Sequence, residues 1–423
     1  MKISDNTLYL EDISAELIMQ EYGSPLYVYE ESVLRSCFRQ LISGFPEGLL
    51  SIHYSMKANS NQSILKILCE EGSSIDAVSE YEVRLALESG FEPGQIIFTG
   101  NNNNLEEIEY CVEQKVLINL GSLTLLELYG NRHSGTTVSV RINPGLGAGH
   151  HAHCITGGPD SKFGIYHDQI DSVLELAKKY SLTINGVHSH IGTGIFEAEP
   201  MLEAMEMTLA VAEKFPDLEF VDFGGGFGIP YRPDQSALDM NDLSQKMTYR
   251  FKEFMKNYGR DLEMKVEPGK LLVGTAGILL TTVTNISETP KYRFVGVDSG
   301  FNHLLRPTIY GAYHRIINAS CVSGNEEDIV VVGNICESGD ILSRSGEEIK
   351  RRLPSPKIGD RLAFLDVGAY GMSMSSQYNF RPRPAEIMVK EGQSRLIRRA
   401  ESYEDLTRNF PQYLNEQYGA ETE

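Results

Sequence analysis

The run SIHYSM, residues 51–56, alternates and then ends in a lysine, Lys57, followed by small and amide residues. A lysine at a strand end is ordinarily a solvated charge; the other reading is an amine held for its nucleophilic chemistry. Three other features bear on that choice. The stretch DFGGGFGIPY, Asp222 to Tyr231, carries three consecutive glycines, Gly224, Gly225 and Gly226. No side chain covers their N–H groups, so a phosphate could approach them, although a plain turn would look the same. In KVEPGK, Glu267 could cap a helix or pair with Lys270. Beside a pyridine it would instead keep the ring nitrogen protonated and make the ring an electron sink. His188 and His190, in HSHIGTG, are each either satisfied core residues or, for His190, a ring stacked on a ligand.

Such residues act together only if the chain gathers them. From about residue 50 to 275, short apolar runs alternate with amphipathic helical patterns. The runs are SIHYSM, SSIDAVS, QIIFTG, VLINLGS, TTVSVRINP, TINGVHSHIG, LEFVDFGGG and LEMKVEPG. Patterns such as SEYEVRLALESG, DSVLELAKKY and MLEAMEMTLAVAEKF lie between them. About eight strand–helix units predict an α/β fold, a (β/α)8 barrel, whose chemistry sits at the C-terminal ends of the strands. A doubly wound sheet competes, but its phosphate glycines come at the first turn, and here they follow the seventh strand. On the barrel reading, Lys57 ends the first strand. Asp76, Ser79 and Glu82 fall at the second, Arg141 and Asn143 at the fifth, His188 and His190 at the sixth, and Glu267 at the eighth. After about residue 280 the texture is β-rich, as in ILLTTVTNISE and DIVVVGNICESGD. The expected domains are a barrel over 28–280 and a mostly β domain built from 1–27 and 281–423.

The 423-residue chain carries 38 Lys plus Arg against 58 Asp plus Glu, a net charge of -20, which repels nucleic acid and anionic lipid. Six scattered cysteines show no metal spacing or CxxC pair and fit reduced thiols in a cytoplasmic protein. The N-terminal stretch has acids early and no apolar h-region, so no signal peptide is expected. No apolar run approaches the roughly 20 residues of a membrane span.

The chain resembles the barrel-type (fold type III) pyridoxal-phosphate decarboxylases of basic amino acids along nearly its whole length. The matching motifs are HYSMKAN, SIDAVSEYE, RINPG, HSHIGTG, GGGFGIPY, EPGK, VDSGFNHLLRPTIYGAYH, CESGD and GAYGMSMSSQYN. The last three favour the diaminopimelate branch. The resemblance implies pyridoxal 5'-phosphate as cofactor, with Lys57 as its Schiff-base lysine. It gives Asp76 and Glu82 as supports for the lysine and ring, and His190 as the stacking ring. Thr193, Gly224, Gly225 and Gly226 would hold the phosphate, with Tyr370 closing it from a partner subunit. Glu267 would face the pyridine nitrogen. Lys270, Arg306 and Tyr310 would meet the substrate's distal carboxylate, alongside Tyr370. Cys336 would donate a proton and Glu337 would read the distal amine, both in the partner's site of a homodimer.

The implied reaction removes CO2 from the D-centre of meso-diaminopimelate to give L-lysine. Alternatives are another amino-acid substrate (a D-amino acid, carboxynorspermidine, or a siderophore or antibiotic precursor) or a racemase on the same barrel. Lys270 keeps the substrate open, because the family has arginine there and lysine offers a point charge instead of a fork. Thr193 stands where the family has serine and keeps the hydroxyl. His150, His151 and His153 suggest a metal site by type, but in the family this segment is a loop at the active-site entrance, and no metal is expected.

Overall fold

The computed structural model describes residues 1–149 and 156–410. His150, His151 and His153 therefore lie outside the described residues. The chain divides into two units, 34–273, and 1–33 with the described residues from 274 onward. The limits differ from 28 and 280 because two strands next to the boundaries pair within the second unit, as given below.

The first unit is the eight-stranded parallel barrel. Its strands are Leu50–Ser55, Ser74–Ala77, Ile96–Phe98, Leu117–Leu120, Thr137–Asn143, Thr183–Ser189, Phe220–Asp222 and Glu263–Val266. Each pairs in parallel with the next. The eighth closes on the first, with Met264 opposite Leu50 and Val266 opposite Ile52. All eight expected runs form barrel strands. They read as apolar because neither the interior nor the helix-covered outer face meets water. A ninth short strand, Ile165–Tyr166, lies beside the fifth.

The strand-to-helix turns carry their own start signals. Asn61 accepts from Ser63 N at 2.9 Å at the helix Gln62–Glu70. Ser79 accepts from Glu82 N at 3.2 Å at the helix Glu80–Glu88. Ser122 caps Leu123–Arg132 in the same way. Each cap satisfies an otherwise orphaned helix donor, typically a contribution of about 1 kcal/mol. The caps also fix where the strand-end residues stop, so the helix starts position the catalytic face.

The second unit is β-rich and takes in the N-terminus. Leu26–Glu30 pairs in parallel with Ala385–Lys390 and antiparallel with the 12-residue strand Gly277–Glu288. Gly277–Glu288 also pairs with Arg361–Phe364 and Arg293–Val297. The core of this unit gathers Leu8, Leu10, Ile18, Leu26, Val28, Ile278, Leu280, Ile387 and Val389. Its short final described helix is Tyr403–Thr407.

Leu280 is fully buried where these strands meet. Leu280→Ala is expected to lower stability by about 2–5 kcal/mol in denaturant titration, the usual cost of a cavity at a core leucine.

Candidate active site

At the barrel's C-terminal rim the first strand runs into a short 3-10 turn, Met56–Ala58, that presents Lys57. The lysine side chain is 45% exposed, and its Nζ lies 3.9 Å from Asp76 Oδ2. Asp76, from the second strand, is buried and held from both sides. Ser55 Oγ donates to Oδ2 at 2.7 Å, and Thr99 Oγ1 donates to Oδ1. Glu82 is spent partly on its own helix start, where Oε2 accepts from Val78 N at 2.8 Å. Desolvation lifts its pKa to about 7, against the pull of the Val78 amide.

The eighth strand delivers Glu267, 5% exposed, just beyond Val266. His188 Nε2 approaches Glu267 Oε2 to 3.1 Å, and Asn119 contacts His188 Nδ1 at 2.7 Å. A carboxylate oxygen of Asp222 lies within 4.8 Å of the Glu267 carboxyl. Glu267 Oε1 is buried and has no hydrogen-bond partner among the described residues. Burial raises Glu267 to about 8, with Asp76 adding to the rise and Lys57 and Arg141 opposing it. Asp222 likewise rises to about 8, first by burial and then by Glu267. His188 falls to about 4 by burial, and burial holds His190 well below its usual range, so both rings are neutral at physiological pH. Arg141 places its guanidinium 4.7 Å from the Phe163 ring.

The three glycines act unequally. Gly224 and Gly226 have φ of 66° and 107°, a region that favours glycine. A Cβ on Gly225 would sit 2.2 Å from the Glu267 carbonyl oxygen, and one on Gly226 would sit 2.7 Å from that of Gly192. Small size is therefore demanded by the close approach of the sixth and eighth strand ends. Their amides differ too. Gly224 N donates to Asp222 Oδ1 at 2.8 Å, and Gly225 N donates to His190 Nδ1 at 3.0 Å. The expectation of three open amides thus narrows to Gly226, and the Gly225 bond fixes the His190 ring instead. Thr193 follows in the same loop and is partly exposed. Lys270 is buried one residue beyond Gly269, with Nζ 5.9 Å from the Tyr231 ring centre.

The β unit carries the other expected residues. Arg306 is buried, and its Nη1 donates to His314 Nε2 at 2.9 Å while His314 Nδ1 donates to the Leu365 carbonyl at 2.9 Å. Tyr310 closes the short helix that Arg306 opens. Tyr370 has φ of 57°, a left-handed backbone uncommon for an aromatic residue and the kind of strain that gathers at functional sites. Cys336 and Glu337 are exposed at the tip of the CESGD turn. The turn is pinned by buried Asp340, which accepts from Phe301 N at 2.7 Å and Ile335 N at 2.8 Å. Cys336 N donates to Asn379 Oδ1 at 2.6 Å.

Sequence reasoning placed Arg141 and His188 at strand ends without a role, and passed over Asn119 and Thr99. An asparagine inside the apolar run VLINLGS was the one available signal for Asn119.

Residues 32–274 match the family model for the pyridoxal-dependent decarboxylase, pyridoxal binding domain. The chain belongs to the pyridoxal-dependent decarboxylases. It is 43% identical to a diaminopimelate decarboxylase of Methanothermobacter thermautotrophicus over 94% of each chain. It is 34% identical to that of Escherichia coli K12, covering 93% of this chain and 96% of the relative. The crystal structure of diaminopimelate decarboxylase from Helicobacter pylori complexed with L-lysine superposes with a TM-score of 0.85 at 33% identity, covering 95% of this chain and 99% of that one.

The cofactor is pyridoxal phosphate, and the barrel residues fit it. A buried carboxylate oxygen of Glu267 has no partner among the described residues, a partly exposed lysine stands at the same rim, and a glycine loop passes too close to its neighbours to carry side chains.

Glu267 titrates above its ordinary 4.5, so the stability carried by its protonated form is complete below that value and is lost as pH rises through about 8. The cofactor-free protein is therefore expected to lose more thermal stability between pH 5 and pH 8 than its Glu267→Gln variant does. Parallel melting curves for the two proteins would refute this.

Proposed function

We propose that this chain decarboxylates meso-2,6-diaminopimelate to L-lysine and CO2, the last step of lysine biosynthesis, as a cytoplasmic homodimer with shared sites. The observation that carries the reading is the uncommitted, buried Oε1 of Glu267 on the same barrel rim as Lys57. The diaminopimelate decarboxylases to which the chain is similar support the substrate. No helix among the described residues is long and apolar enough to cross a membrane.

Pyridoxal phosphate, when bound, supplies a carbonyl carbon that captures amines and a ring that takes up the electron pair released when a bond at Cα breaks. The residues of the chain do the rest. Lys57 holds the cofactor through its amine and yields it to the substrate amine, with Asp76 at hand to balance its charge. Glu267 holds the proton on the ring nitrogen, which the apolar surroundings make a strong electrostatic contribution. His190, fixed by Gly225 N, would stack on the cofactor ring and exclude water there. Gly226 and Thr193 take the phosphate, with Gly224 and Gly225 keeping the loop close, and Tyr370 covers it from the partner subunit. Arg306 and Tyr310 bind the distal carboxylate, with His314 setting the orientation of the arginine. Lys270 adds a charge there without the two-pronged grip of arginine.

The bond from Cα to the D-centre carboxylate breaks, CO2 leaves, and Cα takes one proton. Cys336, serving the partner's site, or Lys57 delivers that proton, and Glu337 reads the distal amine. The exposure of Cys336 and Glu337 on a turn pinned from beneath by Asp340 suits groups that act on another subunit.

Lys57→Ala is expected to purify without the yellow absorbance of the lysine-bound cofactor and without activity; a full-strength band would sink the assignment. Mixing inactive Lys57→Ala with inactive Cys336→Ala is expected to restore partial activity through hybrid dimers. No recovery after demonstrated subunit exchange would count against shared sites. CO2 release measured across diaminopimelate, lysine, ornithine and carboxynorspermidine is expected only with the first.

A further inference from the structure

Behind Glu267 stands a second layer that the reaction as described does not use. Asn119 is 3% exposed and lies in the fourth strand; His188 is 2% exposed and lies in the sixth. The Asn119 amide nitrogen is 2.7 Å from His188 Nδ1. An amide N–H2 only donates, so Nδ1 must offer its lone pair. The ring is neutral, because burial depresses it, and its one proton then sits on Nε2. Nε2 is the atom 3.1 Å from Glu267 Oε2. The approach is oblique to the ring N–H and falls short of an aligned hydrogen bond, so the N–H acts on the carboxyl as a nearby dipole. In a dry interior such a dipole is weakly screened.

We infer that Asn119 and His188 are positioning residues that lock the imidazole in its Nε2–H form beside Oε2, favour the ionised Glu267 carboxyl once the pyridine nitrogen faces it, and so leave Oε1 to that nitrogen. The reverse tautomer would turn a bare Nε2 lone pair on the carboxylate, and Glu267 would then keep its own proton. The asparagine amide, two side chains away from the ring nitrogen, thereby sets which partner carries the proton. The other titratable groups of the cluster are Lys57, Asp76, Arg141, His190 and Asp222. Lys57 and Arg141 favour the anion, whereas Asp76 disfavours it. None of these contacts dictates the His188 tautomer, which the Asn119 contact does. The donor atoms of His188, Asp222 and Glu267 lie within 4.8 Å of one another and could by distance hold a cation. A proton on Nε2 removes that nitrogen from use as a ligand.

The inference rests on Glu267 facing the ring nitrogen, and the test separates the two. Nitrogen-15 NMR of the histidine-labelled holoenzyme is expected to show His188 neutral with its proton on Nε2, and Asn119→Leu to abolish that preference. Cofactor affinity and the pH profile of the bound cofactor's absorbance supply a second readout. His188→Leu is expected to weaken cofactor binding about tenfold or more and to shift deprotonation of the ring nitrogen to lower pH. His188→Gln, whose amide can donate to Oε2, is expected to restore affinity to within about twofold of wild type. An Nδ1–H or doubly protonated His188 would overturn the inference, as would a His188→Leu holoenzyme with wild-type affinity and profile. Failure of the underlying site reading has its own signature: Glu267→Gln would then bind cofactor as tightly as wild type whatever the state of His188, and both would fall.

Discussion

An acid placed where water cannot reach must either keep its proton or find cations and donors that make its charge tolerable. Glu267 is that acid here, and much of the barrel rim is arranged around it. Arg141 and Lys57 oppose the desolvation that drives its pKa up, while Asp76 crowds it with like charge. His188 and Asp222 lie against the carboxyl, and Oε1 is left over. A pyridine N–H completes that set, so the most expensive group in the barrel becomes affordable when the cofactor is in place.

The same economy of space explains the glycine run. Gly225 lies so close to the Glu267 carbonyl that any side chain would displace the eighth strand end. Its amide meanwhile orients His190. One short loop therefore sets the distance between Glu267 and His190. In the β unit the corresponding device is Asp340, which draws two backbone N–H groups inward so that Cys336 and Glu337 stand outward.

The barrel was legible because each strand is a short apolar run and several helix starts are marked by Ser, Asn or Asp. Parallel pairing between neighbours in sequence makes the order of strands their order in space. Lys57, Asp76, His190 and Glu267 were legible because polar side chains at strand ends break an apolar pattern. The pairing at the unit boundaries was not legible, because LYVYE, 26–30, pairs with strands near 280 and 387, and no local pattern reports so distant a partner.

Residue types and their order along the chain were enough for the fold class, the family and its cofactor, since these depend on periodicity and on motifs that chemistry cannot replace. Direction was not legible. Whether a glycine amide faces a phosphate or a neighbouring Asp222, which nitrogen of His188 carries the proton, and that Asn119 touches it at all depend on side chains from different strands meeting across the barrel. Those distances come from closure of the sheet, which brings residues 69 apart, such as Asn119 and His188, to within a hydrogen bond.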